Sequence, residues 1–240
     1  PSTQFSWCNV GSACREEFRG ANGSEANIWP ELTPRQRTER IKSEKNRIKL
    51  NEYQPSLVPK FTEVGYKKEK LNPETYSFLM GWYSSPVREP VTESWPPDNT
   101  YVNHWKQETT MVHAPSRVHR RLYKDLLVPM EEWTGLKLKP TACYGARNYF
   151  RGSVLANHVD RIDTHVVSAI INIAQPGEII FYESASVLHG RPEPFEGDSF
   201  TNIFVHFAPV EGWDVSANDV SRAAREGARK KSRESREQRR

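Results

Sequence analysis

The strongest constraint on the fold is a change of pattern at Gly135. Beyond it, five short segments rich in β-branched or aromatic residues are separated by turn residues, which is typical of strands. They read "KPTACYGARNYF", "THVVSAIINIA", "EIIFYE", "SVLHG" and "SFTNIFVHFAP". Before Gly135, the signals are helical. Helices followed by strands predict an α+β fold in which helices pack on an antiparallel sheet or barrel.

Three helices are predicted before the strands. Thr33 is a capping residue followed by proline, and it begins a charged helix over residues 33–50 that has few apolar positions and therefore lies on a surface or against a partner. Asn72 and Pro73 begin a second helix in the same way. The third ends at Gly135 and is amphipathic, with apolar residues at spacings of three and four: Val118, Leu122, Leu126, Met130 and Trp133.

The net charge of +4 is concentrated at one end of the chain. Nine Lys or Arg and three Glu lie between Arg222 and Arg240, a net charge of +6, so the remainder carries −2. This tail has almost no large apolar residue, which predicts a solvated helix or a disordered arm. It could contact an acidic partner. Nucleic acid is the less favoured partner, because no aromatic residues alternate with the charges to stack on bases.

The cysteines leave the compartment open between the secretory pathway and the cytoplasm. Cys8 and Cys14 could form a small disulfide with Cys143 free, or all three could be reduced thiols. No apolar run has the length of a transmembrane helix, so no membrane span is predicted.

The segment "NHVDRIDTHVV" contains His158 and Asp160 at a predicted strand end. Side chains at i and i+2 of a strand point to the same side, so the imidazole and the carboxylate can be aimed at one point. A further histidine, His189, lies in a later strand. Two histidines and one carboxylate are the facial ligand set of non-heme Fe(II) oxygenases, and zinc can use the same ligands. The alternative for each histidine taken alone is a buried, hydrogen-bonded side chain.

Residues 115–209 resemble the prolyl 4-hydroxylase-like branch of the Fe(II)/2-oxoglutarate dioxygenases. The resemblance is carried by "CYGARNYFRGSVLANHVDR" and "PGEIIFYESASVLHGRPEPFEGDSFTNIFVHF", with Tyr149 nine residues before the histidine of the HxD pair. It implies a double-stranded β-helix, a jelly-roll core of eight strands, with N-terminal supporting helices. It also implies that His158, Asp160 and His189 are the catalytic iron ligands and that Tyr149 lines a 2-oxoglutarate pocket. Ascorbate is left open as a further cofactor.

The spacing of the ligands departs from that family. Only 28 residues separate Asp160 from His189, whereas the family core has four strands there, and each strand takes roughly 5–6 residues plus turns. Only two strand-like segments are visible. We therefore predict that a segment on the order of 15–30 residues is absent between Gln175 and Pro176.

The anchor for 2-oxoglutarate also departs from the family. A Lys or Arg usually stands nine or ten residues past the distal histidine, but this chain has Asp198 and Ser199 there, and Asp198 would repel a carboxylate. Arg191, on the same predicted strand face as the distal histidine, or Arg147, on the strand before the HxD pair, could replace it. The anchor could otherwise lie in the absent segment.

Three parts of the chain are predicted. Residues 1–65 form an extended N-terminal arm with the charged helix, 66–213 form the dioxygenase-like domain, and 214–240 form the basic tail. The resemblance implies a peptidyl proline as substrate. The alternative is a catalytically weak or inactive scaffold that binds protein partners through residues 1–50 and the tail.

Two sets of side chains could surround the site. Trp95, Tyr101 and Trp105 lie in a proline-rich loop and could form an aromatic groove for an extended peptide, or pack as an ordinary surface loop. Asn202 and His206, polar positions on the last strand, could line the pocket or be ordinary strand side chains.

Overall fold

The computed structural model describes residues 32–86, 89–96, 99, 101–104, 106–173 and 177–237. The helices are α1 (Pro34–Tyr53), α2 (Pro73–Tyr83), α3 (Ser116–Thr134) and α4 (Ala217–Glu237), and a short 3₁₀ helix (Gln54–Ser56) follows α1. The strands are β1 (Tyr66–Lys70), β2 (Val91–Thr92), β3 (Thr110–His113), β4 (Leu138–Phe150), β5 (Leu155–His158), β6 (Val167–Asn172), β7 (Glu178–Tyr182), β8 (His189–Arg191) and β9 (Ser199–Pro209).

The strands form two antiparallel sheets. The large sheet has the order β1-β7-β6-β9-β4-β3-β2, and the small sheet consists of β5 and β8. A cavity lies between them and is lined by residues of both sheets. The predicted α+β class is therefore confirmed, and the two sheets enclose a cavity as expected for a double-stranded β-helix. In the described residues the small sheet has two strands and the large sheet seven, rather than an even division of eight.

The two faces of the large sheet have different partners, because side chains alternate along each strand. Ala169 of β6 and Val205 of β9 belong to the main hydrophobic core, together with Leu126 of α3 and Leu79 of α2. Ile170, which lies between Ala169 and Ile171 in β6, points to the other side and lines the cavity. Helices α2 and α3 thus pack on one face of the sheet, and the functional site occupies the other.

Local signals set the helix ends as predicted. The Thr33 side chain accepts a hydrogen bond from the Gln36 backbone while the Gln36 side chain reaches back to the Thr33 amide, a capping box that begins α1. Asn72 caps α2 through the backbone of Glu74. Gly135 ends α3 with φ of 70°, a left-handed conformation that glycine adopts without a side-chain clash.

Helices α1 and α4 lie against each other near the small sheet. Lys231 of α4 pairs with Glu52 of α1, and Val220 of α4 is buried in a second hydrophobic cluster with Val58, Ile162 and Ala185. The basic tail therefore begins as a packed helix. Because α1 contacts β5, part of the N-terminal surface that was predicted to bind a partner is covered by the chain itself. The division of the chain into an N-terminal arm, a dioxygenase-like domain and a basic tail stays a prediction.

Several predictions concern residues outside the described ranges. These are the cysteine pair Cys8 and Cys14, the groove residue Trp105, and the junction Gln175–Pro176. Within the described ranges, β6 and β7 are the strands found between the proposed ligands, as expected, and they pair directly with each other. The absence of a segment at the junction stays a prediction. No helix in these ranges is both long enough and apolar enough to cross a membrane.

Candidate metal centre

The two short strands of the small sheet bring distant histidines together. His158 is the last residue of β5 and His189 the first of β8, and they are direct partners across the antiparallel pair. Their ring centroids are 4.4 Å apart. Asp160 follows two residues after His158, and its amide donates to the Ser184 carbonyl at 2.7 Å. Backbone pairing therefore places the HxD motif beside the segment that carries the distal histidine.

The three side chains converge. The Asp160 Oδ1 atom lies 3.5 Å from His158 Nε2 and 3.7 Å from His189 Nε2. One potential ligand atom from each residue lies within 4.8 Å of the others, a cluster that could hold a metal ion. The structure thus assembles the two-histidine, one-carboxylate set that the sequence predicted. This donor set is that of non-heme Fe(II) oxygenases.

Hydrogen bonds fix the orientation of both imidazoles. The Nδ1 atom of His158 lies 2.7 Å from the Ala156 carbonyl, and that of His189 lies 2.9 Å from the Val187 carbonyl. A carbonyl only accepts, so Nδ1 carries the proton and Nε2 keeps a lone pair directed toward Asp160. Metal-binding histidines are usually held in this way.

The electrostatics also suit a cation. Burial lowers the pKa of His158, so the ring is neutral at pH 7. Burial alone would raise the pKa of Asp160, but the positive charge that His189 and His158 carry when they are protonated outweighs it and holds the pKa well below its usual range, so Asp160 is already anionic when the rings lose that proton. The Asp160 Oδ2 atom is buried and has no hydrogen-bond partner among the described residues. A buried anionic oxygen without a partner is costly, and a divalent cation would compensate for it.

Arg191 lies in the same cavity of about 170 Å³ as the three potential ligands. Its guanidinium is 4.6 Å from the centre of the Phe200 ring and 5.5 Å from that of Tyr149. Nη1 donates to the Ser153 carbonyl at 2.8 Å, whereas Nη2 is buried without a hydrogen-bond acceptor in the described part of the chain. Burial lowers the pKa of Arg191 to about 10, so the group stays cationic at neutral pH. This end of the cavity has a charged donor available for an anion.

Arg147 also lines the cavity, but its charge is already paired. Its Nε and Nη2 atoms donate to the Glu93 carboxylate at 2.7 and 2.9 Å, and the Trp95 ring centre lies 5.2 Å from the guanidinium. Burial alone would lower the pKa of Arg147, but Tyr149 and Glu93 raise it. Of the two arginines considered as anchors, Arg191 is therefore the better placed to bind a further carboxylate.

Asp198 does not face the cavity. Its side chain is 98% exposed and pairs with Arg151 at 2.8 Å on the surface. The repulsion expected from an aspartate at the family's anchor position therefore does not arise inside the site.

A second pair of histidines lines the cavity beside Asp160. The rings of His165 and His206 are 3.8 Å apart. His206 Nδ1 lies 2.7 Å from the Ser168 hydroxyl and 3.9 Å from Asp160 Oδ2. Burial lowers the pKa of His206 to about 3, so the ring is neutral. Sequence reasoning considered His206 as a pocket residue but missed His165, because nothing in its spacing from the HxD pair indicates that its ring faces the same cavity.

The proline-rich loop reaches the site from outside. The Tyr101 ring packs edge-on against His158 with centroids 5.2 Å apart, and the Trp95 ring centre lies 5.2 Å from the guanidinium of Arg147, which lines the cavity. Two of the three aromatic residues considered for a groove therefore contact side chains at or next to the site.

No protein-family model matches the chain, and no curated protein matches it. Among solved structures, the fold is similar to a 2OG-Fe(II) oxygenase-family oxidoreductase from Burkholderia pseudomallei, with a TM-score of 0.45 and 10% identity over 79% of this chain and 96% of that one. It is also similar to a Trichoplax adhaerens prolyl hydroxylase in complex with a hypoxia-inducible-factor peptide, with a TM-score of 0.41 and 10% identity over 75% and 94%. A collagen prolyl hydroxylase of Paramecium bursaria Chlorella virus-1, in a 2OG complex, gives a TM-score of 0.40 and 11% identity over 61% and 97%. All three TM-scores lie below 0.5.

Proposed function

We propose that this protein is an Fe(II)/2-oxoglutarate-dependent dioxygenase, with His158, Asp160 and His189 as the iron ligands. The observation that carries the proposal is the convergence of these three side chains in a cavity that also contains the cationic Arg191. In the proposed reaction, 2-oxoglutarate, O2 and a substrate C–H group become succinate, CO2 and C–OH, with one oxygen atom entering each organic product.

Iron would supply the activation of O2. The chain's own contribution is to orient the ligand side chains and to exclude water from the cavity. The bonds from His158 and His189 to backbone carbonyls hold both imidazoles with Nε2 toward the centre, and the anionic Asp160 balances part of the charge of a dication. The aromatic and aliphatic residues lining the cavity, such as Phe204 and Ile170, limit the entry of water.

Arg191 is proposed to bind the distal carboxylate of 2-oxoglutarate. Its partnerless Nη2 atom can donate a charge-assisted hydrogen bond, which is the interaction a carboxylate satisfies best. Tyr149 packs beside the guanidinium and lines the same end of the cavity. Arg147, paired with Glu93, is proposed to shape the wall rather than to hold the cosubstrate.

The proposed substrate is a peptidyl proline. Support comes from the sequence resemblance and from the loop aromatics Trp95 and Tyr101, which lie beside the cavity residues Arg147 and His158. The open cavity and the intact ligand set favour an enzyme over the scaffold alternative.

The experiment is 2-oxoglutarate turnover by anaerobically iron-loaded protein on admission of O2, with succinate measured by NMR. Proline-containing peptides are compared with matched alanine peptides, and peptide products are examined by mass spectrometry for the gain of one oxygen atom. We expect Fe(II)-dependent succinate formation that rises with the proline peptides. Failure of folded, iron-loaded protein to bind or consume 2-oxoglutarate would reject the dioxygenase assignment. Equal stimulation by the proline and alanine peptides would reject proline as the substrate residue but leave the dioxygenase assignment standing.

A further inference from the structure

The C-terminal end of α1 is bonded to the backbone of the HxD motif. The Asn51 side chain donates from Nδ2 to the Asn157 carbonyl at 2.8 Å and accepts at Oδ1 from the Val159 amide at 3.1 Å. These two peptide groups stand immediately before and after His158. Asn51 therefore gives this edge of β5 the donor and acceptor that a neighbouring strand would provide, while β8 pairs with the strand through its own backbone.

Gln54 joins the two segments that carry the proposed ligands. Its Nε2 atom donates to the Asp160 carbonyl at 2.8 Å and to the Ala185 carbonyl at 2.7 Å. Ala185 lies four residues before His189, and the neighbouring Ser184 carbonyl accepts from the Asp160 amide. Gln54 is only 2% exposed, so water does not compete for these bonds. One side-chain amide thus joins the HxD segment to the segment before the distal histidine, directly beside the three proposed ligands.

Arg47 strengthens the same attachment one turn earlier. It donates from Nη1 to the Asn157 carbonyl and pairs with Glu44 on its own helix. The end of a long helix is in this way fastened to a strand of four residues, which by itself has little to hold its register.

We propose that Asn51 and Gln54 are positioning residues, which set the separation between the HxD motif and the loop leading to His189 from outside the cavity. Neither residue lines the cavity, and both act through the backbone of residues that carry the ligands. Metal ligands must be held within a fraction of an ångström by supporting contacts, and short strands cannot supply that rigidity alone. The inference rests on the proposed metal-binding function, and it assigns α1 to the site rather than to an external partner.

The test uses metal binding alone, without turnover. Gln54→Met keeps the side-chain length and removes the donor, and Asn51→Ala removes both bonds at a partly exposed position. Leu126→Ala is the matched control, because this buried residue of α3 lies in the core on the other face of the large sheet and its truncation destabilises the protein without touching the site. Affinity for Fe(II) is measured anaerobically by competition with a chelator. The visible spectrum of the Co(II)-loaded protein reports ligand geometry.

We expect Gln54→Met and Asn51→Ala to weaken metal binding on the order of 10–100-fold and to change the Co(II) spectrum, while Leu126→Ala loses stability and keeps both properties. If Gln54→Met fails to fold, Asn51→Ala decides the result. Wild-type affinity and spectrum in a folded variant at Gln54 or Asn51 would reduce these residues to structural ones and overturn the inference. If the wild-type protein binds neither metal, the proposed function fails, and this inference fails with it.

Discussion

At the scale of single residues, the site places opposite charges in one cavity. Asp160 is anionic beside two histidines, and Arg191 is cationic among aromatic rings. Each has a buried polar atom with no hydrogen-bond partner in the described part of the chain. Leaving buried charged groups incompletely bonded costs stability, so this arrangement is better explained by ligands of opposite charge than by folding.

Replacing Arg191 by glutamine should weaken 2-oxoglutarate binding without affecting the metal. The loss of a charge-assisted hydrogen bond corresponds to about 1.5–3 kcal/mol, or on the order of 10–100-fold in affinity. Calorimetric titration of iron-loaded protein under nitrogen measures the change. Arg151→Gln is the matched control, because it removes the same charge from a surface pair with Asp198. Unchanged affinity in Arg191→Gln would mean that the anchor lies elsewhere.

The thiol of Cys143 should be unreactive in the folded protein. Burial raises its pKa to about 12, and only the thiolate reacts with alkylating agents. The thiol is therefore protonated at pH 8, and thiolate appears only as the pH approaches 12. Peptide mapping after iodoacetamide treatment at pH 8 should find Cys143 unmodified in native protein and modified in guanidinium chloride. Equal labelling in both conditions would contradict its burial in β4.

At the scale of elements, Gly145 allows β4 to pass close to β3. Its φ is 142°, and a Cβ atom there would lie 2.1 Å from the Val112 carbonyl oxygen. Gly145→Ala should therefore cost at least the roughly 1–3 kcal/mol of a strained backbone. Gly81→Ala is the comparison, since α2 leaves open space at that position and alanine should stabilise the helix by about 0.5–1 kcal/mol. Urea unfolding measures both. Similar stabilities for the two variants would show that β3 and β4 are not so close.

The elements that the sequence predicted are those with strong local signals. Thr33, Asn72 and Gly135 mark helix ends by capping chemistry, which acts over a few residues. Strand β1 was missed because "YKKEK" has no apolar alternation: it is an edge strand, and its order comes from pairing with β7. Strand β3 was missed for a related reason, since a segment of four residues is too short to show a recognisable alternation of apolar and polar side chains.

The same distinction applies to the site. The HxD pair and the distal histidine could be found because their residue types and strand positions are themselves the signal. Glu93, which pairs with Arg147, could not be found, and neither could Asn51 of α1 and Gln54 of the 3₁₀ helix that follows it. They lie 54 and more than 100 positions from their partners along the chain, and single-sequence patterns carry no information on such contacts.

At the scale of the whole molecule, the main hydrophobic core and the candidate site lie on opposite faces of the large sheet. The main core lies between that sheet and helices α2 and α3, and the cavity lies toward the small sheet and α1. Apolar burial is the main stabilising force in folding, so the cluster of His158, Asp160 and His189 contributes little to the stability of the fold. A ligand can therefore be removed without unfolding the chain, which makes the metal claim separable from the fold.

The most direct test of the proposed centre is anaerobic equilibrium dialysis of Fe(II) against the wild-type protein and Asp160→Ala. The variant removes the only anionic ligand and leaves two neutral imidazoles to hold a dication. We predict a single Fe(II) bound per wild-type chain and a loss of affinity of at least about 100-fold in the variant, with circular dichroism and thermal unfolding of the metal-free proteins nearly unchanged. A wild-type chain that binds no Fe(II), or a folded variant that binds it equally well, would contradict the assignment of His158, Asp160 and His189 as a metal centre.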